Sequence, residues 1–127
     1  FVVCPEAKTL PLAQSMCTYL GEREFIVFRK GVKAYMIDPI ITEVKSITTA
    51  AVQKMVVDIR DAEKIRGKKV LLMDDVVSTG GTFKAMEVLL EKIGDIEVVG
   101  YAAVLREGTD FPNDKLYYLN ELPIFVG

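Results

Sequence analysis

VLLMDDVVSTGGT, residues 70–82, is the stretch of sequence that decides the fold. Its first four residues, Val70–Met73, are apolar, which is typical of a strand buried on both faces. Two adjacent carboxylates, Asp74 and Asp75, follow where that strand is expected to end. After a run of small and hydroxylated residues, apolar side chains recur at helical spacing, at Phe83, Met86, Leu89, Leu90 and Ile93. The stretch therefore predicts a strand, an acidic tip, a small-residue loop and a helix.

The loop between the predicted strand and helix has the features of an anion site. Gly80 and Gly81 let the backbone approach a ligand closely, and the first N–H groups of a helix are unpaired and carry the positive end of its dipole. Ser78, Thr79 and Thr82 add hydroxyl donors. The Walker and dinucleotide-binding glycine patterns are absent. The expected anion is a phosphate group.

The carboxylates beside this loop indicate what carries the phosphate. Asp74 and Asp75 would repel a phosphate unless they faced sugar hydroxyls, or a magnesium ion held by hydroxyl and phosphate oxygens. A ribose 5-phosphate fits this arrangement, with the loop on the phosphate and the acids on the ribose edge. The alternative is a strand, turn and helix in which the Asp and Thr residues only cap the helix.

Residues 70–82 resemble the phosphoribosyl-pyrophosphate (PRPP) motif of the type I phosphoribosyltransferases. That motif is a hydrophobic strand, two acids, two further residues and a small residue before Thr-Gly-Gly-Thr, and all 13 positions fit. The resemblance implies that Asp74 and Asp75 face the ribose hydroxyls as the catalytic pair. It implies a 5-phosphate site formed by Val77, Ser78, Thr79, Gly80, Gly81 and Thr82. It also implies a Mg²⁺ cofactor held mainly through PRPP, because Mg²⁺ commonly uses substrate phosphates and few protein ligands.

Composition limits the class of protein. The 127 residues suffice for one domain, and the net charge of −2 indicates no general attraction to nucleic acid. No apolar run approaches the ~20 residues that span a bilayer, and no signal peptide is visible. Cys4 and Cys17 suit a reducing cytoplasm and are expected in the core. The chain has no histidine, which excludes Ser–His and Cys–His catalysis and imidazole metal ligands.

Both ends of the sequence are apolar. Phe1-Val2-Val3-Cys4 predicts a strand without any lead-in, and residues 122–127 end in apolar sequence. Type I enzymes usually carry a helical N-terminal segment before this first strand. We therefore expect residues 1–127 to be a single phosphoribosyltransferase domain that lacks an N-terminal segment.

The turn after the first strand is expected to lie near the phosphate loop. Its residues are Pro5-Glu6-Ala7-Lys8-Thr9, and Lys8 could bind a diphosphate. The family resemblance assigns Glu6, Ala7 and Lys8 to the pyrophosphate loop. Adenine members tend to have Glu/Asp-Ser-Arg-Gly there, so this chain departs from their pattern but keeps the positive charge. The alternative is a solvated turn lysine.

A second group of cations follows the second predicted strand, Phe25–Phe28. Arg29, Lys30 and Lys33 would face the same crevice as Lys8, since ligands in open parallel sheets bind beyond the carboxyl ends of the strands. The Arg-Lys-x-x-Lys spacing resembles the diphosphate-contacting run of purine phosphoribosyltransferases. The alternative is a solvated run of charge at the edge of the sheet.

An irregular segment from 34 to 66 contains an expected β-hairpin, in which 41–46 pairs with 54–57. It resembles the flexible catalytic loop of the family, and we expect few contacts to hold its tip, residues 45–50. The Ser-Tyr-x-x-Glu-Tyr-Gly motif of adenine enzymes is absent, and the Ser/Thr-rich tip looks closer to the xanthine phosphoribosyltransferase and purine-repressor branch. Orotate enzymes usually have Lys-x-His-Gly here, so they are discounted.

The remaining elements complete an α/β prediction. A helix passes through Leu12 and Leu20, 64–69 is a polar connector, and 97–105 and 116–119 are the fourth and fifth strands. We predict a mainly parallel open sheet with flanking helices plus a flexible β-hairpin loop. The predicted strand order is second, first, third, fourth, fifth, with the switch point between the first and the third.

The resemblance implies a purine phosphoribosyltransferase. Such an enzyme transfers ribose 5-phosphate from PRPP to a purine base, with adenine favoured, and releases pyrophosphate in purine salvage. The alternatives are a PRPP-binding regulator of purine-related transcription, a xanthine- or hypoxanthine-specific transferase, and a domain that binds no PRPP. The expected partners are PRPP, a purine base and a second copy in a homodimer, with no membrane and no nucleic acid bound directly.

Overall fold

The structure is a computed structural model and describes residues 1–45, 52–108, 111 and 113–122. Its elements follow in chain order as β1 (Val2–Pro5), α1 (Leu10–Leu20), β2 (Phe25–Phe28), β3 (Ile40–Lys45), β4 (Val52–Val57), α2 (Ile59–Ile65), β5 (Lys69–Val77), α3 (Gly81–Ile93), β6 (Glu97–Glu107) and β7 (Leu116–Leu122).

Five strands form one sheet in the order β2-β1-β5-β6-β7, and each neighbouring pair is parallel. This confirms the predicted order, because β5, β6 and β7 are the third, fourth and fifth strands of the sequence prediction. The chain continues from β1 to β2 on one side and from β5 to β6 on the other. The order therefore reverses between β1 and β5, and the carboxyl ends of these two strands form the switch point at which such sheets bind ligands.

Helices cover both faces of the sheet, and each face has its own core. The smaller core lies under α1 and includes Val2, Cys4, Ala13, Cys17 and Met73. The larger core lies under α2, α3 and the hairpin and includes Ile26, Phe28, Met55, Ile65, Leu72, Phe83, Met86 and Leu89. Burying each large apolar side chain stabilises the fold by roughly 1.5–3 kcal/mol.

Both cysteines are free and buried, which confirms them as core residues. Burial raises the pKa of the Cys4 thiol to about 12, so the thiol stays protonated. No helix in the described ranges is both long and apolar enough to cross a membrane.

Strands β3 and β4 pair antiparallel as a separate hairpin, as expected. The base of the hairpin is firmly packed, since Met55, Val56 and Val57 are fully buried. The backbones of Arg29 and Val56 exchange two hydrogen bonds of 2.8 Å, and Lys92 donates to the Ile41 carbonyl at 2.8 Å. Residues 46–51, which form most of the tip expected to be mobile, lie outside the described residues.

The structure differs from the sequence prediction at two places. Strand β5 continues through Asp74 and Asp75 to Val77, so the acids lie within the strand and not beyond its end. The connector predicted at 64–69 begins in a helix, α2, whose start Asp58 caps by accepting a hydrogen bond from the Arg60 N–H. The signal for α2 was an Asp at the cap position with Ile59, Ala62 and Ile65 at helical spacing, but seven residues are too few for periodicity to stand out.

Candidate functional site

The phosphate loop lies between the end of β5 and the start of α3. Gly80 precedes the helix with φ of +82°, a left-handed conformation that glycine adopts without strain. The turn is closed by a hydrogen bond of 2.8 Å from the Lys84 N–H to the Gly80 carbonyl. A Cβ atom on Gly80 would overlap the ring of Phe111, so the position admits no side chain. At the start of α3 the Gly81 N–H donates to Thr79 Oγ1 at 3.3 Å, and the N–H groups that follow it have no acceptor within the helix and can donate to a ligand.

A cavity of about 210 Å³ opens over this loop, and we call it the loop cavity. It contains the predicted phosphate-binding residues together with one residue of the hairpin, and its walls are Gln53, Asp74, Val76, Val77, Ser78, Thr79, Gly80, Gly81, Thr82 and Phe83. None of these side chains is cationic, so the positive potential of the loop cavity comes from backbone N–H groups, hydroxyls and the dipole of α3.

The acidic pair lies beside the loop cavity. Asp74 is 8% exposed, and its Oδ1 accepts hydrogen bonds from Thr9 Oγ1 at 3.2 Å and from the Asp75 N–H at 2.8 Å. Burial raises the pKa of Asp74 to about 7, and a hydrogen bond from its protonated form to Asp75 adds to the shift. Burial would also raise the pKa of Asp75, but the hydrogen bonds from Asp74 and the Val76 N–H and the charge of Lys8 lower it. Near neutral pH the pair therefore holds one firm negative charge, on Asp75.

A second cavity, about 450 Å³ in volume, adjoins the loop cavity and is lined by both acids, and we call it the cleft. It brings together the turn after β1, the end of β2 and the acids, and its walls are Pro5, Glu6, Ala7, Lys8, Thr9, Lys30, Gln53, Asp74, Asp75, Val76 and Thr82. Lys8 and Lys30 supply the positive charge of the cleft, and both are exposed. Oxygen-rich anions between these lysines would have direct charge-assisted contacts.

Glu6 stabilises the turn that carries Lys8. Its Oε1 accepts the Lys30 N–H at 2.6 Å, and its Oε2 accepts Arg29 Nη1 at 3.3 Å. The hydrogen bond from the Lys30 backbone lowers the pKa of Glu6, and Arg29 and Lys33 add to that effect. Glu6 thus ties the end of β1 to the end of β2 and fixes the separation of Lys8 and Lys30.

The structure does not bring every predicted cation into the cleft. Arg29 pairs with Glu6 and faces a different cavity, next to Tyr35 and Asp58. Lys33 lines neither the loop cavity nor the cleft, and it acts on the site through its charge near Glu6.

Sequence reasoning missed two residues of the site. Thr9 is buried and donates to Asp74, although it reads as an ordinary turn residue. Gln53, on β4, donates from Nε2 to Thr82 Oγ1 at 3.3 Å and lines both cavities. The available signal was a polar side chain among the apolar residues of a strand, which by itself does not say what that side chain contacts.

Comparison with known proteins supports the assignment of the fold and the family. The family model for the phosphoribosyl transferase domain matches residues 1–120. The chain is 33% identical over 107 residues to a hypoxanthine/guanine phosphoribosyltransferase from Methanobacterium lacus, which covers 84% of this chain and 52% of the relative. It is 38% identical over 68 residues to an adenine phosphoribosyltransferase from Treponema denticola, which covers 54% of this chain and 34% of the relative.

The chain thus spans between a third and about half of the length of these two relatives. Among solved structures, the adenine phosphoribosyltransferase from Thermoanaerobacter pseudethanolicus superposes with a TM-score of 0.78 at 18% identity, covering 95% of this chain and 69% of that one. That likeness establishes the shared fold. Together with the match over residues 1–120, it shows that the chain belongs to the phosphoribosyl transferase domain family.

Proposed function

We propose that this domain binds PRPP and transfers its ribose 5-phosphate to a purine base, with release of pyrophosphate. The observation that carries the proposal is that three sites adjoin one another. The loop cavity and the cleft share part of their walls, Asp74 lines both and Asp75 lines the cleft, and these sites match the 5-phosphate, the ribose hydroxyls and the diphosphate of PRPP. An unrelated small anion would need only one of the three.

The chemistry that follows from this arrangement is electrostatic. Cleavage of the bond between ribose and diphosphate develops negative charge on the diphosphate and oxocarbenium character on the sugar. Lys8 and Lys30 face the developing negative charge, and Asp75 faces the hydroxyl edge of the positively polarised ribose. The loop cavity contributes by holding the 5-phosphate, so that the reacting carbon is fixed relative to the base. Asp74 hydrogen-bonds the backbone of Asp75 and keeps its carboxylate in place.

The residues present fit a magnesium ion that arrives with the substrate. Carboxylate oxygens are the ligands that Mg²⁺ prefers, and Asp75 is ionised and accessible from the cleft. Asp75 would be the carboxylate that holds the ion, and oxygens of the bound substrate would supply further ligands. When bound, the ion supplies charge neutralisation to the diphosphate, next to Lys8 and Lys30.

Adenine is the favoured base, because the Treponema denticola relative and the Thermoanaerobacter pseudethanolicus structure are both adenine phosphoribosyltransferases. A hypoxanthine- or xanthine-type base is the second candidate, because the relative that aligns over 107 residues is a hypoxanthine/guanine enzyme. The absence of the Glu-Tyr-Gly loop motif favours a third candidate, a PRPP-binding regulator without transfer activity. The homodimer, the role in purine salvage and the cytoplasmic location stay predictions.

The test is a panel of adenine, hypoxanthine, guanine and xanthine with PRPP and Mg²⁺, in which pyrophosphate release is followed. We expect release with adenine above the level of the base-free control. Tight binding of PRPP with no release for any base would favour the regulator. A protein that does not bind PRPP would contradict both the transferase and the regulator proposals.

A further inference from the structure

Gln53 is the one described hairpin residue that lines the loop cavity or the cleft, and it lines both. It lies on β4 opposite Val44 of β3 and is partly buried. Its Nε2 donates to Oγ1 of Thr82, which is the second residue of α3, at 3.3 Å. This hydrogen bond joins two segments that are 29 positions apart in the sequence.

The position of Gln53 is set by the packed base of the hairpin. Two residues further along β4, Met55 is fully buried, and Val56 exchanges two backbone hydrogen bonds with Arg29. Gln53 and Met55 lie on the same face of β4, so the burial of Met55 holds the Gln53 side chain at a nearly fixed place. The amide of Gln53 is therefore preorganised over the start of α3.

The direction of this hydrogen bond determines what the Thr82 hydroxyl can do. A threonine hydroxyl has one O–H donor and two acceptor lone pairs. The Gln53 amide occupies one lone pair, so the O–H proton remains free to donate. An anion in the loop cavity is the acceptor for that proton, because Thr82 forms part of the cavity wall.

We propose that Gln53 is a positioning residue for the phosphate monoester in the loop cavity. Its amide holds the Thr82 hydroxyl with the proton directed at the phosphate, and phosphate binding in turn strengthens the contact between the hairpin and α3. The inference rests on the proposed function for the identity of the ligand, a ribose 5-phosphate group. If bound phosphate strengthens the hydrogen bond between Gln53 and Thr82, then by linkage that hydrogen bond makes the phosphate bind more tightly.

The experiment measures binding of ribose 5-phosphate and of inorganic pyrophosphate by calorimetry. Gln53→Met keeps the length of the side chain but cannot donate, and we expect it to weaken ribose 5-phosphate binding by roughly three- to tenfold. Gln53→Glu would accept the Thr82 proton and place a negative charge beside the phosphate, so we expect a loss of more than roughly tenfold. Inorganic pyrophosphate, whose proposed contacts are the charges of Lys8 and Lys30, should be little affected by Gln53→Met.

A double-mutant cycle separates positioning from general structural damage. In a Thr82→Val background there is no hydroxyl to orient, so Gln53→Met should change ribose 5-phosphate binding by less than about twofold. Gln14→Met is the matched control, because Gln14 is an exposed glutamine of α1. The inference is overturned if Gln53→Met leaves binding unchanged, or if it causes the same loss with and without the Thr82 hydroxyl.

A measurement on the unmodified protein keeps the test independent of variant folding. Ribose 5-phosphate should slow hydrogen exchange at the β4 amides from 52 to 54, and pyrophosphate should not. Unchanged exchange with saturating ribose 5-phosphate overturns the inference. If the unmodified protein fails to bind ribose 5-phosphate at all, the proposed function fails with it. If the unmodified protein shows transfer activity but Gln53→Met does not change ribose 5-phosphate binding, the inference is overturned and the proposed function stands.

Discussion

The loop cavity takes most of its walls from one continuous segment, 76–83, whereas the cleft takes its walls from several separate parts of the chain. The loop cavity has no cationic side chain and relies on backbone N–H groups and hydroxyls. The cleft relies on Lys8 and Lys30, and Glu6 joins the two chain segments that carry these lysines. Ligand affinity at a site made of backbone groups depends on the conformation of the loop. Affinity at a site made of charged side chains depends on which residues are present and on ionic strength. The two sites should therefore respond to different substitutions.

The largest effect is expected from Gly80→Ala in the loop cavity. The change forces alanine into a left-handed conformation and pushes its methyl group into Phe111, so the free energy of unfolding should fall by roughly 2–4 kcal/mol. Denaturant unfolding measures it. Gly21→Ala is the matched control, because Gly21 has φ of +75° with no atom near its Cβ position and should lose roughly 1 kcal/mol. Equal losses at the two glycines would show that Phe111 is not in the way.

The acidic pair, of which Asp74 lines both cavities and Asp75 the cleft, should give the next effect. Asp75→Asn removes a charge-assisted contact, so PRPP binding should weaken by roughly 1.5–3 kcal/mol, measured by calorimetric titration. Asp74→Asn should cost less, because Asp74 is buried and acts by holding the backbone of Asp75. The exposed Asp114→Asn serves as control and should bind PRPP normally. Unchanged affinity in both acid variants would remove the assignment of the ribose to this pair.

The pH dependence of stability tests the buried member of the pair. Because the pKa of Asp74 is about 7 in the folded protein and 3.8 ordinarily, the folded state holds an extra proton between these values. Stability should therefore fall as the pH rises from about 4 through the folded pKa, and then level off above about pH 8. Asp75 acts in the opposite direction, but below about pH 4, because its folded pKa is lowered. In Asp74→Asn the decline should shrink to the part contributed by Glu87, whose pKa burial also raises, and stability at neutral pH should rise. The measurement is urea unfolding of both proteins at a series of pH values. An undiminished decline in Asp74→Asn would show that another group causes it.

The smallest effect should come from the cations of the cleft. Lys30→Ala should weaken PRPP binding by roughly 0.5–1 kcal/mol, because exposed charge pairs are screened by solvent, and added salt should shrink the difference. Ribose 5-phosphate, which lacks the diphosphate, should bind both proteins alike. Lys33→Ala is the comparison variant, and its loss should be smaller, since Lys33 lies outside the cleft walls. Equal losses for PRPP and ribose 5-phosphate would place Lys30 at a different part of the ligand.

Much of the architecture could be predicted because it depends on local patterns. The apolar run before Asp74 indicated a central strand, the periodicity after Gly81 indicated α3, and the order of the five strands followed from the expected α/β fold class. The loop cavity was predictable for the same reason, since its backbone donors are neighbours in sequence. The extent of β5 beyond the acids was not, because strand pairing with β6 continues through polar residues to Val77.

Side-chain partners across distant segments were beyond local reasoning. Nothing near Arg29 in the sequence shows that Glu6 holds it, and nothing near Thr82 shows that Gln53 contacts it. The raised pKa of Asp74 depends on burial by elements on both sides of β5, which no local pattern reports.

The sequence by itself determined the phosphate loop, the acidic pair and the family resemblance, because each is written in consecutive residues, and the order of the strands followed from the fold class that they indicate. The tertiary structure alone decided which cations enter the cleft, which carboxyl keeps its proton and which hairpin residue contacts the loop. Those features depend on distances between segments up to 65 positions apart, as between Thr9 and Asp74. Such distances are set only when both faces of the sheet are packed.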